Sequence, residues 1–121
     1  MATNVIMFGW NRAHPGRESA AMEQFQEFAA HLGALQSKGE IDSFEPILFV
    51  PGGGTLNGFF LIRGDHGGLD ALMATDAWRS HVMRSMLHLD GLTIMRGSTG
   101  EALQENLGLW AGHASKLARS P

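Results

Sequence analysis

Two strand–helix–strand patterns in succession, hinged at a run of glycines, constrain this chain more than any other feature. The first runs from about Val5 to Val50 and the second from about Leu56 to Arg96, with Pro51-Gly52-Gly53-Gly54 between them. Joined by a hairpin, the two halves predict one sheet of about four strands with two helices to cover it. Two helices cover one face of such a sheet. The other face needs a different cover.

In the first half, Val5-Ile6-Met7-Phe8-Gly9-Trp10 is a short apolar run of strand formers, followed by the turn signal His14-Pro15-Gly16. Arg17 to Gln36 has helical spacing. Ala21, Phe25, Phe28, Leu32 and Leu35 recur at i, i+4, i+7, i+11 and i+14 and form one stripe. Glu18, Glu23 and Glu27 lie off that stripe, and Lys38-Gly39 supplies a stop. The second strand is expected over Ile41 to Val50, where Pro46 points to an edge position or a bulge.

The third strand is expected over Thr55 to Arg63, broken by His66-Gly67-Gly68. Leu69 to Leu89 reads as a jointed helix, because Thr75-Asp76 has the chemistry of a fresh N-cap in mid-segment. Trp78, Val82, Met86 and Leu89 then share one face. Asp90-Gly91 stops the helix, and Leu92 to Met95 is the fourth strand. Further on, Ser98 and Glu101 have capping-box form, and Leu103, Leu107, Trp110, Ala114 and Leu117 make another stripe. Gly108 and Gly112 weaken that tail helix by about 1 kcal/mol each relative to Ala, so it needs a surface to dock on. The expected organisation is one domain over residues 1–97 with a helical extension over 98–121.

Alternation along the strands sorts the two faces of the sheet. Leu56, Phe60 and Ile62 point one way, and Asn57, Phe59, Leu61 and Arg63 the other. Likewise Phe44, Leu48 and Val50 oppose Glu45, Ile47 and Phe49. The first set is apolar and suits the helices. The second mixes large apolar groups with a few polar ones, whereas a solvated face of an antiparallel sheet is mostly polar. Each Phe or Leu left in water forgoes roughly 1.5–3 kcal/mol of burial. Ile47, Phe49, Phe59 and Leu61 therefore predict a cover. A second copy of the same sheet is the economical one, since a two-fold contact is self-complementary. The expected partner is a homodimer mate.

Composition narrows the field. A net charge of −3 with nine scattered basic residues gives no reason to expect nucleic acid or an anionic membrane as a partner. The absence of cysteine excludes disulfides, thiolate metal sites and thiol nucleophiles. The N-terminal residues lack a signal-peptide pattern, and no apolar run approaches the roughly 20 residues of a membrane span. The expected location is cytoplasmic.

The order of elements, the short helix opening at Thr75-Asp76-Ala77-Trp78-Arg79-Ser80-His81 and the closing Asp90-Gly91-Leu92 strand resemble the dimeric α+β barrel superfamily. The resemblance covers about residues 4–97. It implies an α+β, ferredoxin-like βαββαβ fold, here with a C-terminal helical tail, whose sheets pair face to face into a barrel. The group includes antibiotic-biosynthesis-type monooxygenases, haem-degrading monooxygenases and muconolactone-isomerase-like enzymes. The haem-degrading branch carries an Asn on the first strand and a Trp and a His on the second helix, elements where this chain has Asn11, Trp78 and His88. Aligned at the Thr75-Asp76 cap, however, the family's Trp position falls on Leu72 and its His position near Val82. A helix turns by about 100° per residue, so His81, one position off, points elsewhere. No cofactor is expected.

Metal is not indicated either. His81 and His88 lie two helical turns apart, with side chains starting roughly 10 Å from each other, and no zinc-type spacing occurs. His14, His31, His66 and His113 read as loop or surface residues. The candidate catalytic residues are His81 as a pocket imidazole, Arg63 to hold a carboxylate or enolate oxygen, and Glu45 as a base in a low-dielectric cavity. Trp10, Asn57, Phe59 and Trp78 are candidate pocket walls. The plainer alternatives are an interfacial Glu45–Arg63 ion pair and aromatics that serve only the core.

Two functions follow as expectations. One is a small-molecule-binding dimer, in its catalytic form a cofactor-independent monooxygenase or isomerase acting on a flat organic substrate. The other is a non-catalytic, stress-associated or accessory dimer with a filled barrel. A cavity of roughly 300 Å³ or more beside His81 or Arg63 favours the first, and a packed interior the second.

Overall fold

The computed structural model describes residues 2–119. The strand-forming runs become β1 (Asn4–Trp10), β3 (Ser43–Leu48), β4 (Gly58–Gly64) and β6 (Thr93–Ser98). The helices are α1 (Glu18–Ser37), α2 (His66–Met73), α3 (Asp76–His88) and α4 (Gly100–Arg119). Two-residue strands, β2 (Arg12–Ala13) and β5 (Leu89–Asp90), pair with each other. The long strands form an antiparallel sheet in the order β3-β4-β1-β6. Pro46 sits in an edge strand, where its missing N–H interrupts no interior ladder.

The register aligns side chains into rows across the sheet. Phe44, Ile62 and Ile6 form one row of the helix-covered face, and Pro46, Phe60, Phe8 and Ile94 form the next. The stripe of α1 and the inner sides of α2 and α3 close over these rows. Ile6, Phe8, Phe60 and Ile62 are buried together with Phe28, Leu32, Leu35, Leu69, Leu72 and Trp78. Phe8 stacks obliquely on Phe28 at 4.6 Å and meets Trp78 edge-on at 5.7 Å.

The opposite face holds Glu45, Leu61, Met7 and Met95 in one row and Ile47, Phe59, Gly9 and Thr93 in the next. None of its large apolar residues is fully buried, and Met95 and Phe49 are 54% and 45% exposed. Strand parity thus sorts the paired residues as the sequence predicts, but not those beyond the strands. Leu56, ahead of β4, lies on the open face, where a Cβ at Gly9 would be 2.8 Å from Leu56 Cδ1 and 3.3 Å from Met7 Cε. Val50, past the end of β3, is exposed.

The strands β3, β4 and β6 replace expected spans of 41–50, 55–63 and 92–95, and three further differences have a local cause. His66-Gly67-Gly68 opens α2 rather than merely ending a strand, because the Asp65 carboxylate accepts a hydrogen bond from the Gly68 N–H at 2.6 Å and caps the helix. On α3, Met86 is 61% exposed while Ser85 is buried, so the buried stripe lies one residue round from the apolar pattern. Ser98 stays in β6 and accepts from Asn106 Nδ2 at 3.0 Å instead of opening the tail helix. The Thr75 cap forms as expected, its hydroxyl accepting from the Trp78 N–H at 3.1 Å.

No described residue of α4 is buried, and Trp110 and Leu117 on its apolar stripe are 70% and 76% exposed. Among the described residues no helix is long and apolar enough to cross a membrane.

Candidate functional site

A cavity of about 270 Å³ opens between the covered sheet face, α1 and the C-terminal end of α3. Its walls follow from the packing just described. Trp10, the last residue of β1, leans across β4 because Gly58 has no side chain there: a Cβ at Gly58 would lie 2.8 Å from the Trp10 ring. The indole meets Phe25 edge-on at 5.9 Å and Phe60 at 5.7 Å, and the three rings with Phe8 and Phe28 make an aromatic floor. Ala13 and Leu89, partners in the short β2–β5 ladder, form one side. The exposed residues Arg12, Glu18, Met22 and Leu48 ring the mouth.

Two polar residues reach the inner wall, and both are nearly fully buried: Gln24 at 3% exposure and Ser85 at 2%. Gln24 Nε2 lies 2.8 Å from His81 Nδ1, and Gln24 Oε1 is buried without a hydrogen-bond partner. Buried polar atoms are normally paired, so an orphaned acceptor sealed behind the cavity wall is an unusual feature. Sequence reasoning missed both residues because neither is apolar. The signal was positional: Gln24 falls four residues before Phe28 on the α1 stripe, and Ser85 falls seven after Trp78 on α3.

Behind Gln24 lies a second layer. The His81 ring contacts Phe28 at 5.1 Å and His31 at 5.0 Å. His31 is half-buried, and its Nε2 has no partner, so it is more than the surface residue its sequence context predicts. Burial holds both imidazoles below their ordinary pKa. For His81 the neighbouring His31 and Arg84 add to that effect, while Glu27 opposes it. An Arg84–Glu27 ion pair at 2.5 Å ties α3 to α1 beside them.

The sequence-predicted site residues divide between two faces of the sheet. Trp10 lines the cavity, and His81 stands one side chain behind its wall. Trp78 is buried beneath Phe8 and Phe28, supporting the floor without lining it. Glu45, Arg63 and Phe59 lie on the open face, where Arg63 Nη1 pairs with Glu45 Oε1 at 3.1 Å and Phe59 contacts Phe49 at 5.7 Å. Asn57 precedes β4 and donates to the Asn11 carbonyl at 2.9 Å, and Asn11 in turn donates to the Asp90 carboxylate at 3.3 Å. His81 and the Glu45–Arg63 pair are therefore not brought together. Among the described residues no group of three or more His, Cys, Asp or Glu side chains could hold a metal ion.

No family model matches the chain, and no curated protein matches it. Solved structures do. A dimeric protein of unknown function and ferredoxin-like fold from Bacteroides fragilis NCTC 9343 is 14% identical, with a TM-score of 0.56 over 78% of this chain and 95% of that one. A dimeric ferredoxin-like protein of unknown function from Thermobifida fusca YX is 11% identical, with a TM-score of 0.60 over 81% of this chain and 92% of that one. The fold is ferredoxin-like. An EthD family protein from Bacillus halodurans C-125 shares it, at 20% identity and a TM-score of 0.57 over 83% of this chain and all of the other. In this ferredoxin-like α+β frame the cavity occupies one end of the helix-covered face, where β1 and β4 leave the sheet towards the loops.

Proposed function

We propose that the chain forms a homodimer through its open sheet face and binds a compact, flat organic molecule in the aromatic cavity. The ligand half rests on one observation: a cavity open at one side, floored by the rings of Phe8, Trp10, Phe25, Phe28 and Phe60. A volume of about 270 Å³ falls just under the usual range of about 300–1,000 Å³ for small-molecule sites. One or two fused rings fill it, and the surrounding aromatic faces favour a planar shape. The dimer half rests on Met7, Ile47, Phe59, Leu61 and Met95 sharing a face that no helix covers, and on two of the similar solved structures being dimeric.

The catalytic form of this reading is a cofactor-independent monooxygenase or isomerase of the antibiotic-biosynthesis kind, with His81, paired to Gln24, as the imidazole behind the cavity wall. An accessory, non-catalytic role has its own support. Glu45 and Arg63 neutralise one another away from the cavity, and the charged residues that line it, Arg12 and Glu18, are exposed at its mouth.

Sedimentation at micromolar concentration tests the dimer, and a monomer there ends the sheet-pairing reading. Melting shifts across aromatic and quinone-like compounds test the cavity. A flat response, or one that survives filling the cavity with Ala21→Trp, ends the binding reading. Incubation of any binder with the protein in air, followed by mass spectrometry, separates catalysis from binding.

A further inference from the structure

The tail helix α4 is rooted on its own subunit by one side and is apolar on another. Ala102, Glu105 and Asn106 line a groove with Arg96 and His66, and Asn106 Nδ2 donates to Ser98 Oγ at 3.0 Å. The apolar stripe lies about 100° further round the helix, and its Leu103, Leu107, Trp110 and Leu117 are all exposed. Gaps of four, three, four and three residues from Leu103 to Leu117 suit the seam of two paired helices.

What flanks that seam fits a second α4. The adjoining positions, Gln104, Asn106, Ala111, His113 and Ala118, hold no Asp, Glu, Lys or Arg. The charges sit further round and divide lengthwise, with Glu101 and Glu105 in the first half and Lys116 and Arg119 in the last. Set end for end against its own copy, the helix matches acid with base. Bulk matches in the same way: a two-fold axis between Gly108 and Leu109 puts Leu107 against the partner's Trp110 and Leu103 against the partner's Ala114. Parallel helices would instead crowd Trp110 on Trp110, leave Ala114 on Ala114 hollow, and set like charges together.

We propose that the two α4 helices of the homodimer pair antiparallel along this seam. This rests on the sheet-face dimer proposed above. About two heptads, in a helix weakened by Gly108 and Gly112, are too short to join subunits alone, and the sheet contact supplies the proximity. The pairing in return gives α4 the docking surface that its glycines require.

Spin labels test this in the full chain, which has no cysteine of its own, so one introduced Cys carries the label. Leu109→Cys lies beside the proposed axis and Ser115→Cys towards the end of the seam, both exposed and off the stripe. The dimer should show backbone separations of about 10–15 Å at Leu109 and about 20–25 Å at Ser115. Trp110 is exposed, so Trp110→Glu leaves the subunit able to fold. It should spread both distances and weaken the dimer about tenfold in sedimentation equilibrium. Short distances at both sites mean parallel helices and overturn the proposal. Long, broad distances at both, in a protein that still sediments as a dimer, overturn the α4 pairing and leave the sheet dimer standing. Distances or a dimer constant that Trp110→Glu does not move overturn it as well. A monomer removes both readings.

Discussion

Glu45 and Arg63 meet across β3 and β4 at 3.1 Å, on the sheet face that also carries Met7, Phe59 and Leu61. In an isolated subunit the pair is partly hydrated and is worth about 0–1 kcal/mol. Under a second copy it is enclosed, and removing one partner then costs about 3–5 kcal/mol. Glu45→Ala should therefore weaken dimerisation by at least tenfold in sedimentation equilibrium, and adding Arg63→Ala should restore part of the loss. An unchanged dimer constant would place the pair outside the interface.

Leu61 lies next to Met7 in the central row of the same face. Leu61→Asp should give a monomer with unaltered far-ultraviolet circular dichroism, because the side chain points away from the helix-covered core. A variant that stays dimeric would mean that subunits meet elsewhere.

Gly58 makes room for Trp10. A Cβ there would meet the Trp10 ring at 2.8 Å, Leu48 Cδ2 at 2.9 Å and the Ile47 carbonyl at 3.0 Å. Gly58→Ala should cost about 1–3 kcal/mol by overpacking. It should also shift the fluorescence of Trp10 as the indole moves into the cavity, and ligand-induced melting shifts should shrink in step.

The joint between α2 and α3 depends on Thr75, whose hydroxyl accepts from the Trp78 N–H and donates to the Leu72 carbonyl at 2.8 Å. Thr75→Ala removes both bonds and should lower stability by about 1 kcal/mol, read from denaturant unfolding. Thr75→Ser keeps the oxygen and should recover most of it.

Stability should fall with acid in a defined window. His31 and His81 are held below the imidazole value they regain on unfolding, so the unfolded chain binds protons first as pH drops. Their contribution is complete above about pH 6.5 and is lost as pH falls through the lower folded-state values. Melting temperatures measured downwards from neutrality should decline there. His31→Asn should flatten the decline, and combination with His81→Asn should flatten it further.

Much of the frame was legible because period and parity carry it. The Phe28, Leu32 and Leu35 stripe, the alternation of Phe59 to Arg63 and the Thr75 cap each state a local preference that the tertiary structure keeps. The start of α2 was not legible, since Gly67 and Gly68 read as breakers and their role depends on the Asp65 carboxylate folding back. The cavity was legible only in Trp10. Gln24 and Ser85 are polar residues on apolar stripes, and an apolar pattern passes over them. Parity alone separated Glu45 and Arg63 from the helices, but where His81 stands relative to the cavity depends on how α3 crosses α1. That crossing is a matter of packing between segments more than forty residues apart, as the Gln24–His81 contact illustrates.

The short β2–β5 ladder has a mechanical consequence. It is held by Asn11 N–H to the Asp90 carbonyl at 2.9 Å and His14 N–H to the His88 carbonyl at 2.8 Å, and its Ala13 and Leu89 form one wall of the cavity. Parting these few bonds leaves every rung of the main sheet intact. The fold thus has a latch at its cavity end, whose backbone amides should exchange with solvent before any in β1 or β4, and a guest molecule held against Leu89 would slow that exchange.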